Sequence, residues 1–335
     1  MPSPNYPDDG VPKLKGIPFL GAALAGQNFI GARPHFGFTT GNVYFVDSGH
    51  PNRSNEVGQG HHGRSPDSPF STIDYAVGQC TASNGDIIYV MPGHVETVTA
   101  AAGLDLDVAG ITLIGIGRGA SRPTINFTTA TTADMDVDAA DITMVNFLFT
   151  GGFDALVAPV DVNAADFAMI DCEYRDVTGQ CTDFLLTDNA ADRLMINGFT
   201  YEGAAAAGTN AGFAIVGSDD CTICNLVMDG NFAVGGIDIR TTAATDLHVY
   251  NVRFRTRNAA DIFLIDTITA STGMIGPNIH IRLQDNAANI TEAITGATFV
   301  LFGGGAAGPS GGGINVVNAA GEVAIPINTT QSIDL

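Results

Sequence analysis

Carboxylates and arginines make up most of this chain's reactive inventory. Asp219 and Asp220 are adjacent, and paired carboxylates are what acid–base cleavage of a glycosidic bond requires. Arg253, Arg255 and Arg257 alternate, so on a strand they share one outer face. Such a row could act as a base or pair with acids. Asp229 and Asp238 lie one repeat earlier, and we read the row as pairing with acids on a neighbouring coil or subunit. Glu173 and Asp176 flank Arg175, with Glu202 further on. Cys221 and Cys224 form a CxxC, but they read as packing residues rather than zinc or redox ligands. His61 and His62 sit with His50 in a polar loop spanning 47–68, which reads as solvated rather than metal-binding. No phosphate loop, nucleophile elbow or zinc spacing is present. No cofactor, metal or catalytic residue is expected.

A repeat must position these groups. Asp, an apolar residue at +3 and Asn or Asp at +5 return in five copies, beginning at Asp141, Asp166, Asp192, Asp220 and Asp246. A weaker copy runs from Gly110 to Gly115. Fixed periods of this length signal a stacked architecture. The unit is too short and too poor in helix formers for a helical repeat, and it suits one coil of a parallel β-helix. Coils stack about 4.8 Å apart, so about seven would give a body of roughly 35 Å. The +5 residues Asn146, Asp171, Asn197, Asn225 and Asn251 are then expected to lie one above another as a hydrogen-bonded ladder. The +3 residues Met144, Met169, Met195, Ile223 and Val249 are expected to stack inward. Phe149, Tyr174, Met228 and Phe254 at +8 form a second inward stack, in which Thr200 is the exception.

Four regions follow. Residues 1–41 form an extended arm broken by Pro2, Pro4, Pro7, Pro12 and Pro18. Its Leu14, Ile17, Phe19, Leu20, Leu24, Phe29 and Ile30 cannot make their own core, so they must lie on another surface of this molecule or of a partner. Residues 42–95 are a capping module. There a short helix with Phe70, Ile73, Ala76 and Val77 on one face, capped by Ser68 or Ser71, covers the open end of the stack. Residues 96–285 are the coils. Residues 286–335 form a small closing β element around the glycine-rich loop 303–313, with strands at 297–302, 314–317 and 322–327. The expected fold class is therefore all-β.

Composition narrows the partners. The 335 residues are 45% hydrophobic, enough for a sizeable core. Charges number 35 acidic against 14 basic, a net −21, which excludes nucleic acid as a partner because phosphate binding needs a basic face. The five cysteines, an odd number irregularly spaced, outline no disulfide framework. No apolar run is long enough to span a bilayer, and no signal peptide is visible, so we expect assembly in a cytoplasm.

The segments Val46-Asp-Ser-Gly49, Ser65–Ile73 and Asp86–His94 resemble the opening of phage and bacterial proteins of the right-handed parallel β-helix superfamily, pectate-lyase-like in fold. The resemblance covers about residues 42–285. Phage members are tailspikes, fibres and trimeric decoration or cement proteins. The hydrolases on this fold resemble one another in Asn-Thr-Asp, Asp-Asp, Gly-His-Gly and Arg-Ile-Lys motifs, and here no Gly-His-Gly or Arg-Ile-Lys follows Asp219-Asp220. The lyases use calcium carboxylates with an Arg or Lys base. Tryptophan, a common sugar platform, is absent. The resemblance thus implies a non-enzymatic virion protein: a homotrimer that cements the capsid, its arm held by the major capsid protein or another virion component. The alternative it implies is a tailspike or fibre that binds or depolymerises host surface polysaccharide.

Overall fold

The computed structural model describes residues 39–56, 62–176, 181–206, 208–258, 263–266, 268, 270–282, 298–301, 314–317 and 323–324. The arm residues Leu14 through Ile30, His61 and the loop 303–313 lie outside the described residues.

The chain winds as a right-handed parallel β-solenoid with three faces. In one coil, Thr143–Val145 lies on the first face, Leu148–Gly151 on the second and Val160–Val162 on the third. The first two faces belong to one continuous eighteen-stranded sheet bent at a corner, and the third is a separate seven-stranded sheet. Neighbouring coils pair in parallel at every step from Val43–Val46 onward. Alternation explains the core. Met135 and Val137 point in while Asp136 points out, and Val160-Asp161-Val162 repeats the pattern.

The repeated polar residues mark the corners. Asp141, Asp166, Asp220 and Asp246 have φ between 57° and 62°, and Asn146, Asp171, Asn225 and Asn251 between 53° and 64°. This left-handed region disfavours most residues and is tolerated by Asn and Asp, whose short side chains bond locally. Ladder bonds are present. Asn146 Nδ2 donates to the Gly115 carbonyl at 2.7 Å, Asn225 Nδ2 to Asn197 Oδ1 at 2.8 Å, and Asn251 Nδ2 to Asn225 Oδ1.

One copy of the repeat is shifted. Ala168 pairs with Met195, and Met195 with Thr222. Arg193, not Asp192, therefore sits opposite Asp166 and Asp220, with φ 58°. Two expectations are corrected as a result. The corner position belongs to Gly198 (φ 75°) rather than Asn197, which joins the ladder from one residue earlier. Ile196 takes the inward place assigned to Met195, whose side is 41% exposed. A one-residue slip exchanges the two faces of a strand. The frame adopted buries Tyr201 between Tyr174 and Met228 and leaves Thr200 outside. An aromatic ring in the core outweighs a threonine there. Gly198 is also required sterically, because a Cβ there would meet Asp171 Oδ1 at 2.3 Å.

The helix Ile73–Val77 covers the first coils with Ile73, Ala76 and Val77 buried, and Phe70 is buried beside it. Its cap is Thr72, whose hydroxyl accepts from the Tyr75 amide, rather than Ser68 or Ser71. Glu96 Oε2 also accepts the Ile73 amide at 2.7 Å and meets buried His94 Nε2 at 3.1 Å. His94 Nδ1 accepts from the Ser48 amide, which leaves the proton on Nε2 to be donated to Glu96. At the far end, Thr298–Leu301 and Ile314–Val317 pair in parallel with Thr272–Ile275 and Ile279–Arg282. They add another coil rather than a separate cap, and Val323–Ala324 closes it by antiparallel pairing with Ile314–Val317.

Candidate functional site

The third face carries a row of carboxylates. Strand pairing aligns Asp105 with Asp136, and Asp136 with Asp161, as outward residues of consecutive coils. Asp134 and Asp138 flank Asp136 on the same side of its strand, two residues away in each direction. Asn163 donates to Asp138 Oδ1 at 2.9 Å. The Ala102 amide donates to Asp134 Oδ1 at 2.5 Å. One oxygen each of Asp105 and Asp136 is buried without a hydrogen-bond partner.

Stacking has an electrostatic consequence. Burial, then the charges of Asp134 and Asp138, push the Asp136 carboxyl from its ordinary 3.8 to about 6. Burial, then Asp136, Asp188 and Asp138, push Asp161 to about 6 as well. Asp105 and Asp134 are raised too, chiefly by burial. Like charges this close cannot all ionise easily, so protons are held within the row. Adjacent strands are about 4.8 Å apart, which sets Asp136 and Asp161 near the ~5 Å that retaining glycosidases use.

Further along the face, Arg240 reaches Asp183 Oδ2 at 2.5 Å and Asp238 Oδ2 at 3.4 Å. Both carboxylates are buried, and Asp183 Oδ1 also accepts the Ala211 amide. Burial raises the Asp183 carboxyl although Arg240 opposes it. Arg240 is tied down from two sides and is not a free base.

The second face holds the arginines expected from the sequence. Arg255 and Arg257 both pair with Asp229, at 3.1 and 2.8 Å, as the pairing reading requires, whereas Arg253 pairs with no acid among the described residues. Glu173 bridges Arg122 and Arg175 at 2.7 and 2.5 Å, and Arg175 also approaches Glu202. Surface pairs of this kind stabilise by about 0–1 kcal/mol each. Asp238, paired with Arg240 on the third face, does not join this row.

Asp219 and Asp220 are brought into the backbone scaffold instead. The Asp219 carboxylate accepts the Thr245 amide at 2.9 Å, and Asp220 forms a left-handed corner. Cys221 is buried in the core while Cys224 faces outward, so the CxxC is split across the strand. Burial pushes the Cys221 thiol up to about 12. His62 Nδ1 meets the Ser68 hydroxyl and His50 Nδ1 accepts the Asn52 amide, both within the loop. Asp105, Asp136 and Asp161 are not singled out as a site by the sequence analysis. The available signal was the outward Asp shared by consecutive short strands.

No family model matches the chain, and no curated protein matches its sequence. Among solved structures a rhamnogalacturonan lyase is similar, at 14% identity and a TM-score of 0.41, over 72% of this chain and 73% of that one. That structure is by its name a lyase, which runs against the expectation of a chain without enzymatic activity.

Proposed function

We propose that the third face binds a polysaccharide and hydrolyses it between Asp136 and Asp161. The observation that carries this reading is the register pairing of these two acids, both with proton affinities shifted to about 6. Near that pH the pair holds one proton between two carboxylates. The protonated member donates to the leaving glycosidic oxygen. The ionised member attacks the anomeric carbon as the glycosidic bond breaks and forms a glycosyl ester; the acid, now ionised, then takes a proton from water, whose oxygen displaces the ester carboxylate. Water thus supplies OH to the sugar and H to the pair, which returns to its starting state. Elimination chemistry here would need a free basic side chain beside these acids, and Arg240 on the same face is held by two carboxylates. The setting we propose is a phage tail acting on host surface polysaccharide, with trimeric assembly, which the sequence resemblance supports.

The test is a reducing-end assay across neutral and acidic polysaccharides, with unsaturated sugar ends monitored in parallel. We expect new reducing ends without unsaturated products, and a loss of at least about 100-fold in Asp136→Asn and Asp161→Asn, the scale of a lost acid–base group. Unsaturated ends, or full activity in both variants, would overturn the assignment. Counting copies per particle by quantitative mass spectrometry tests the setting: about a dozen or two fits a tail, and hundreds would move the protein to the shell.

A further inference from the structure

The first face carries apolar residues on the wrong side. Ile88, Leu113, Met144 and Met169 point into the core. Their neighbours Phe45, Ile87, Tyr89 and Ile114 therefore point away from it, and they form a second apolar cluster separate from the core. Phe45 stacks on Tyr89 at 5.7 Å, and the row continues by register through Val145 and Ile170. Outward side chains of a bare sheet should be wet, as Met195 (41%) and Tyr250 (36%) are further along this face. Yet Phe45, Tyr89, Ile114, Val145 and Ile170 are exposed by only 0–4%. No strand pairing among the described residues lays a further sheet over this face. An apolar patch this large on an outer surface marks a contact.

The chain itself points to the occupant. Asn42 donates its amide to Asp86 at 2.5 Å, and the Thr39 hydroxyl donates to the Gly85 carbonyl, so the described chain begins, at Thr39, beside the strand Ile87–Val90. The sequence before it is rich in apolar side chains, among them Ile17, Phe19, Leu20 and Leu24. The patch crosses five strands, so it is about 19 Å long at strand spacing. Residues 14–30 can extend to about 55 Å, and the nine residues from 30 to 39 can span about 30 Å. Prolines 12 and 18 limit ladder pairing, which suits cover by side chains rather than by an added strand.

We propose that residues 14–30 lie across the outer first face of their own solenoid as an apolar strap over Phe45, Tyr89, Ile114, Val145 and Ile170. The strap hides the patch from solvent and from other copies, and it takes these residues out of use as an anchor for a foreign shell.

The test is photo-crosslinking in the full chain, with a benzophenone amino acid replacing Tyr89 and, separately, Met91 at the patch rim, where folding is less at risk. Equal amounts of isotopically heavy and light chains are mixed before irradiation, and adducts are mapped by mass spectrometry. The expected result is cross-links to residues 14–30 in purely heavy or purely light pairs from at least the Met91 position. Mixed heavy–light pairs, adducts outside residues 1–38, or no adduct from either position would overturn the proposal.

Discussion

Asparagine in place of Asp136 should stabilise the folded chain at neutral pH while removing its proposed activity. The Asp136 carboxyl binds its proton more tightly in the fold than in the unfolded chain, at about 6 against 3.8. A raised acid favours the fold fully only below the unfolded value. That contribution fades as pH climbs from about 4 and is gone above about 6, where an ionised Asp136 must sit beside Asp134 and Asp138. At 1.36 kcal/mol per pKa unit the rise corresponds to about 3 kcal/mol. The side chain is only partly buried and shares its proton with its neighbours, so about 1–2 kcal/mol is the expected gain. For a domain of this size that is roughly 2–8 °C in melting temperature. Thermal melts of wild type and Asp136→Asn from pH 4 to 8 should show the variant ahead at pH 7.5 and the gap closing towards pH 4. A gap that is absent, reversed or constant with pH would refute the reasoning, because burial together with repulsion from the stacked carboxylates predicts that shape.

The slipped register predicts an unequal pair: Ile196→Ala should cost about 2–5 kcal/mol and Met195→Ala under about 0.5, read by urea denaturation. Gly198→Ala should destabilise by at least about 1 kcal/mol, since it meets both a left-handed φ and Asp171, and a neutral melt would remove the corner assignment. Arg240→Ala leaves Asp183 and Asp238 buried without their cation, so a loss of about 3 kcal/mol is expected at pH 8. That loss should shrink on acidification, where the two acids can be neutralised by protons; an equal loss at pH 4 and 8 would count against the ion-pair origin.

The period of 25 to 28 residues, with Asp and Asn at fixed offsets, was enough to read a parallel solenoid. Corners need left-handed backbone, and few residue types tolerate it, so the corners are written in the composition. The face of most strands was legible for the same reason, because alternation ties apolar positions to the core. The copy at Asp192-Arg193 was misread because two frames differ by one residue there, and only the burial of Tyr201 and Ile196 chooses between them. The exception at Thr200 was the visible trace of that choice. The carboxylate row was the hardest to see. Asp105, Asp136 and Asp161 each stand five residues before a copy of the repeat, at Gly110, Asp141 and Asp166, so the period could align them but not show how far the fold buries them. Burial, added to that alignment, turns three unremarkable acids into neighbours that compete for protons.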